Sequence, residues 1–334
     1  MGLYRRYGIS APAAALLLVS FILVPLAPGQ FWTHVSTEIL ILGLFAMSFN
    51  LLYGYMGQIS FGHAAFFGVG AYATAMLFTA LKAPDGSIGM LAFFASLAVG
   101  PPVAALAALV VGVFCVRLTG IYFAMLTLAF GELLYYIVFS WYSFTKGDDG
   151  IQGLLPPALL QDPVNFYYLT LAIVVAALAV MWRITESPFG YVLRTLRDNQ
   201  RRAAFLGINV RLHMLLAFVI AGFFAGLAGA LWGPFSRSVS PGLLGWAESG
   251  IAVFMTLIGG AGAFIGPIVG SVIYTLLQAV VKMYTVYWPL TIGLVILLIV
   301  LFAPGGVLGI LERRLRPAAP ARAERAIAVE ETRP

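Results

Sequence analysis

Charge is what this sequence has least of. Of its 334 residues, 10% are Asp, Glu, Lys or Arg, while 61% are hydrophobic and mean hydropathy is +0.97. Soluble domains carry roughly 25% charged residues, so the composition excludes an ordinary water-soluble domain and indicates an integral membrane protein. Strands of about ten alternating residues, the mark of a membrane β-barrel, are missing. The single cysteine, Cys115, sits in an apolar run. That excludes a disulfide framework or a cysteine zinc site and leaves Cys115 as a small buried hydrophobe. His34, His63 and His213 stand apart and no H-E-x-x-H occurs, so metal chemistry has no ligand set. None of the three lysines, Lys82, Lys146 and Lys282, follows a glycine. A Walker A loop needs Gly-Lys-Ser/Thr to hold phosphates with backbone amides and a lysine, so ATP is bound elsewhere if it is used at all.

What is present is a series of apolar stretches of the length a helix needs to span a bilayer, about 17–25 residues. Candidate spans are 12–28, 37–53, 60–80, 90–115, 120–143, 166–183, 213–233 and 287–304. The interval 248–281 is too long for one ordinary helix and is interrupted by GGAGAFIGP at 259–267, which reads as a turn. The N-terminal run resembles a signal peptide but has no small-x-small cleavage site, and it is expected to be a retained first span.

Charge placement decides how 248–281 is counted. With the N-terminus inside and ten spans, fifteen basic residues fall inside and four (Lys82, Lys146, Arg237, Lys282) outside. Nine spans would move the arginine-rich tail outside and spoil that asymmetry. The expectation is therefore an all-α polytopic membrane protein of about ten transmembrane helices. Both termini would be cytoplasmic, and 248–260 would be a short or re-entrant element. Residues 1–310 form the transmembrane domain. Residues 311–334, polar and containing Pro317 and Pro320, form a disordered cytoplasmic tail. The net charge of +6 needs no nucleic acid partner, because the positive-inside rule accounts for it. The 144–165 loop, with Lys146, Asp148, Asp149 and Asp162, faces outward and is net acidic.

One inner loop, about 184–212, is large and basic: Arg194, Arg197, Arg201, Arg202 and Arg211 lie in it, with Arg183 just before. Ser187 and Pro188 make a helix start, a serine N-cap followed by proline at the first position. Phe189, Val192, Leu193 and Leu196 continue as one apolar edge. Asp198 or Asn199 caps a second short helix over 201–206, and Gly207 supplies a left-handed terminus. Such a pair of helices either rests on anionic lipid headgroups or is a platform for a cytoplasmic partner.

SPFGYVLRTLRDNQRRAAFLGINV at 187–210 resembles the cytoplasmic coupling loop of branched-chain amino acid ABC-transporter permeases, the LivM/LivH type, closer to LivM. NLLYGYMGQISFGHAAFFGVGAYATAML at 50–77, GGAGAFIGPIVGS at 259–271 and LFAPGGVLG at 301–309 resemble the same family, in the same order. The general coupling signature, Glu-Ala-Ala followed by Gly after three residues, is altered: Arg202 precedes Ala203-Ala204, and two residues separate Ala204 from Gly207. The resemblance implies an importer subunit of the bacterial inner membrane, not itself an enzyme. It would be paired with a homologous permease as a heterodimer, two cytoplasmic ATPase subunits that bind ATP and Mg, and a periplasmic solute-binding protein. It implies that Ser187, Pro188, Gly190, Arg194, Arg197, Asp198, Asn199, Arg201, Ala203, Ala204 and Gly207 belong to the ATPase-coupling loop. The solute would be a branched-chain or related amino acid; relatives carry urea, amides or aromatic acids.

For the passage, Asn50, Gln58, Ser60 and His63 cluster around the break GYMGQ, and Gly259 and Gly260 sit in the second break. Paired interruptions often mark a transport route, although glycines also serve close helix packing. Glu132 is the one carboxylate well inside a span. It is either a proton carrier, which would make the chain an ion-coupled secondary transporter, or a helix–helix hydrogen-bonding group or partner of Arg117. A membrane scaffold that transports nothing is the remaining class.

Overall fold

The computed structural model describes residues 21–26, 29–84, 86–302 and 305–309. The expected first span, 12–28, lies largely outside the described residues, and the tail, 311–334, entirely outside. The chain proceeds through α1 (Gln30–Tyr55, its last turn a wider π turn over Leu51–Tyr55), α2 (His63–Ala80), α3 (Met90–Cys115), α4 (Ile121–Ser140) and α5 (Pro163–Thr185). It continues through α6 (Pro188–Asp198), α7 (Gln200–Phe205), α8 (Val210–Ser236), α9 (Trp246–Gly259), α10 (Gly266–Tyr284) and α11 (Trp288–Phe302). Seven of these, α1–α5, α8 and α10, are long and apolar enough to cross a membrane, while α9 and α11 are shorter apolar helices. The protein is an all-α polytopic membrane protein.

Local chemistry sets the helix limits. Pro163 opens α5 at a position where its missing N–H is harmless. Asn209 opens α8 by accepting a hydrogen bond from the Leu212 amide at 3.1 Å. The core gathers around α1, whose apolar window is 94% buried, and around α8, which packs on both α2 and α3. Small residues make that approach possible. A Cβ on Gly70 would lie 2.3 Å from the Gly226 carbonyl oxygen, and one on Gly229 would lie 1.8 Å from that of Phe67.

The bundle has two distinct ends. At one, Arg197 reaches the Gly54 carbonyl, Gln58 meets the start of α4 at Gly120, and Gly260 lies against Gly305. At the other, β1 (Ile151–Gln152) pairs antiparallel with β2 (Ser238–Val239), and Lys82 Nζ donates to the Gly153 carbonyl at 3.1 Å. The basic loop and the acidic loop therefore cap opposite ends. The glycine turn at 260–265 lies at the basic end, so 248–281 is two helices running in opposite directions.

Two links do not stay at the ends. Residues 56–62 climb from Gln58 at the basic end until Gly62 rests on Thr127 and Gly131, halfway along α4. Residues 237–245, which include a 3-10 turn at Pro241–Leu244, descend from the acidic end until Trp246 reaches Glu132. This descent is why α9 is short.

Candidate functional site

The basic loop is built as a pinned pair of short helices. Ser187 has the extended backbone of an N-cap (φ −80°, ψ 168°), but its hydroxyl makes no cap. It donates to the Ile184 carbonyl at 2.6 Å instead, which closes the end of α5. Gly190 then allows α6 to fold tightly back, since a Cβ there would lie 2.1 Å from the Thr185 carbonyl oxygen. Leu193 and Leu196 are fully buried against the bundle, with Phe189 and Val192 half-buried beside them. The apolar edge of α6 is thus packed on protein, not laid on lipid. Of the two cap candidates before α7, Asn199 does the work: its Oδ1 accepts from the Arg202 amide at 2.9 Å. Gly207 terminates the loop in the left-handed region, φ +82°.

The outer side of the pair carries a feature the charge pattern had hidden. Phe205 is 92% and Leu206 71% exposed, at the tip of α7 beside exposed Arg201, Arg202 and Ala204; Ala203 is buried. An apolar pair held out of the protein by a capped helix is the form of a docking knob. The signal was visible in the sequence as two large apolar residues directly before Gly207, but it reads equally well as a continuing buried edge.

The inner side of α6 is a joint. Arg194 pairs with Glu186 at 2.8 Å and lies 5.2 Å from the centroid of the Tyr55 ring. Partial burial opposes its charge, yet the Glu186 carboxylate and Tyr55 together hold its pKa above the ordinary guanidinium value. Arg197 Nη1 donates to the Gly54 carbonyl, on the π turn that ends α1. Asn50, one turn earlier and fully buried, accepts from the Gly262 amide and donates to the Ala263 carbonyl, both at 3.2 Å. A half-open cleft of about 330 Å³ lies beside these groups, lined by Gly54, Arg194, Arg197, Asp198, Gly260 and Gly305. Gly260 (φ +113°) and Gly262 (φ +88°) have conformations that side chains resist. Gly259 passes so close to Gly266 that a Cβ would sit 1.7 Å from its carbonyl oxygen. The α6–α7 loop, the π turn and the glycine turn therefore form one hydrogen-bonded chain of contacts.

The remaining polar candidates lie inside the chain. Gln58 Oε1 accepts from the Gly120 amide at 2.9 Å. His63 is fully buried, 2.8 Å from Ser48 Oγ through Nε2, with its ring among Phe45, Phe49 and Phe66. Ser60 Oγ and His63 Nδ1 are buried without a hydrogen-bond partner among the described residues. Glu132, by contrast, is half-exposed on the outside of the bundle and accepts from the Trp246 amide at 3.2 Å. The ion pair found among the described residues is Arg194–Glu186, so Glu132 is bonded across helices to backbone and not to Arg117. No group of three potential metal ligands occurs among the described residues.

Residues 32–304 match the family described as the branched-chain amino acid transport system permease component. The chain belongs to this family. It is 26% identical to the high-affinity branched-chain amino acid transport system permease protein LivM of Escherichia coli K12, over 90% of this chain and 75% of that protein. It is 27% identical to LivH of the same organism over 80% of this chain and 90% of that one. A guanosine ABC transporter permease protein, NupP of Bacillus subtilis, is 34% identical over 43% of each chain. No solved structure matches. Within this permease the joint and the exposed Phe205–Leu206 tip are the two sides of one loop, one packed on the spans and the other directed away from them.

Proposed function

We propose that this permease is one of two membrane subunits of an ATP-driven importer, and that its solute is a branched-chain or closely related amino acid. The observation that carries the reading is the α6–α7 pair, pinned between α5 and α8, with Phe205 and Leu206 presented outward. Force from a soluble motor reaches membrane helices only through a rigid element, and a short capped helix held at both ends is one. The docking partner is an ATPase subunit. ATP and Mg are held there, and the homologous second permease and the solute-binding protein complete the assembly. The topology proposed is ten spans with both termini cytoplasmic, in the bacterial inner membrane, with the α6–α7 end inside. The extent of the likeness to LivM supports amino acids as cargo.

The test is capture of the cell's own ATPase subunits on the purified permease in mild detergent, followed by uptake in proteoliposomes with ATP inside and loaded binding protein outside. Phe205→Asp with Leu206→Asp should abolish capture and leave the fold unchanged. Arg194 and Arg197 are poor choices for that purpose, because their side chains are committed inside the chain. An assembly that retains no ATPase, or moves no amino acid, overturns the reading.

A further inference from the structure

The outward faces of the long helices differ in kind. On α3 the exposed side chains include Leu91, Val103, Leu106, Leu109 and Val110, and on α11 they include Leu290, Leu294, Leu297 and Leu301. Those faces suit lipid. The outward face of α4 is apolar too, with Ile121, Tyr122, Met125, Leu133, Tyr136 and Ile137 exposed, but it alone of the three has a carboxylate, Glu132, on its shoulder. Glu132 lies about 17 Å along the helix from Ile121 at 1.5 Å per residue, close to the middle of a hydrocarbon core about 30 Å thick. A carboxylate at that depth belongs beside water or protein.

The backbone beside it makes the same demand. Residues 240–245, which follow β2, reach this depth through a 3-10 turn and not through a continuous α-helix, and such non-α-helical backbone at membrane depth is tolerated where it is buried in protein or lines a water-filled cavity. Trp246, which follows, is 64% exposed. Two helix N-termini meet here, since the Ala64 amide at the start of α2 donates to Ser249 Oγ of α9 at 2.9 Å. Interrupted helices converging at mid-depth, with amide ends and a carboxylate, form a site for a small charged solute.

We infer that the α4 face around Glu132, with the first turn of α9, is this chain's wall of a water-filled passage closed by the second permease chain, and that Glu132 receives the ammonium group of the solute. The inference rests on the importer reading and adds the place and the recognising group. A chain with this face bare would set Glu132 and the 237–245 backbone against lipid. A neighbour of the same family closes it. Lipid cover and a proton-carrying role for Glu132 are the competing outcomes.

The test uses the assembled importer in a Cys115→Ala background, with Leu133→Cys on α4 or Leu106→Cys on α3. These two positions are comparably exposed in the isolated chain, 52% and 60%, so labelling reports what covers them. Leu133→Cys should react with water-borne methanethiosulfonates, the cationic trimethylammonium reagent faster than the anionic sulfonate, while Leu106→Cys stays inert. Glu132→Gln keeps an acceptor for the Trp246 amide but removes the charge, and should lower the cationic preference roughly tenfold. It should also reduce amino-acid uptake by roughly tenfold or more, with partial recovery in Glu132→Asp. Equal inertness of the two cysteines, or an unchanged reagent preference, overturns the passage. Normal uptake by Glu132→Gln overturns the ammonium contact. So does uptake driven by an imposed proton gradient without ATP and lost in Glu132→Gln. Labelling as expected in an assembly that moves no amino acid under ATP would sink the importer reading while the passage stands.

Discussion

One methyl group at Gly54 tests the joint between the α6–α7 loop and the spans. A Cβ there would lie 2.0 Å from Asn50 Oδ1 and 2.7 Å from the Gly262 nitrogen, distances at which neither neighbour can stay. Asn50 must swing away and release both its hydrogen bonds to the glycine turn, a loss of about 1 kcal/mol each. Displacing the Gly262 backbone adds overpacking strain of about 1–3 kcal/mol. Helix propensity works the other way, favouring Ala over Gly by roughly 0.5–1 kcal/mol. Sterics win, and Gly54→Ala should be destabilising by about 2–4 kcal/mol. The measurement is thermal unfolding of the purified importer in detergent, together with solute moved per ATP hydrolysed in proteoliposomes. A double-mutant cycle with Asn50→Ala separates the parts. With the amide gone, Gly54→Ala should cost at least about 1 kcal/mol less than it does in the native background. If Gly54→Ala is as stable and as tightly coupled as the parent, the π turn is not a joint and the reasoning fails.

Two further substitutions probe the scaffold on either side of the joint. Asn199→Ala removes the cap of α7 and should destabilise that helix by about 1 kcal/mol, seen as several-fold weaker ATPase capture with an unchanged unfolding midpoint of the bundle. Gly229→Ala forces a Cβ against the Phe67 carbonyl, 1.8 Å away, and separates α2 from α8. It should cost more than about 3 kcal/mol and be read as loss of monodisperse protein on gel filtration.

Where hydropathy alone decided an element, the sequence was legible. The span expected at 90–115 is α3, Met90–Cys115, without adjustment. α1 begins at Gln30 and not at 37, and the Thr37 hydroxyl at the expected boundary donates to the Thr33 carbonyl of the added turn at 2.8 Å. A hydropathy scale counts that hydroxyl as a cost when the helix has already met it. The division of 248–281 was legible from glycine and charge placement together. The depth of 237–245 was not, since Ser, Pro and Gly residues mark a turn without saying how far into the membrane it reaches. The α6–α7 loop shows the same limit. Its helices, the Asn199 cap and the Gly207 terminus follow from local rules. That Arg197 turns inward to Gly54 while Phe205 points outward depends on how α6 packs, which periodicity does not specify.

α9 connects the two places argued above. Its C-terminal end, Gly259, runs into the glycine turn held by Asn50, next to the Gly54 carbonyl that Arg197 grips; its first residue, Trp246, bonds to Glu132. Fourteen residues at 1.5 Å each make a rod of about 21 Å. A continuous α-helix resists compression far better than the jointed 237–245 link above it, a two-residue strand and a 3-10 turn, so a displacement of the turn is transmitted along α9 and taken up beyond Trp246. Movement of α6 under an ATPase would then shift the first turn of α9 against α4, where the Glu132 contact is an exposed 3.2 Å hydrogen bond and easily exchanged for another partner. The reactivity of Leu133→Cys should therefore change several-fold between ATP-free and ATP-trapped importer, and Arg197→Ala should suppress that change while ATP hydrolysis continues. Coupling carried by α6 through α8 alone would leave the change intact in Arg197→Ala. That single comparison decides whether the guanidinium–carbonyl contact transmits the stroke or merely steadies the loop.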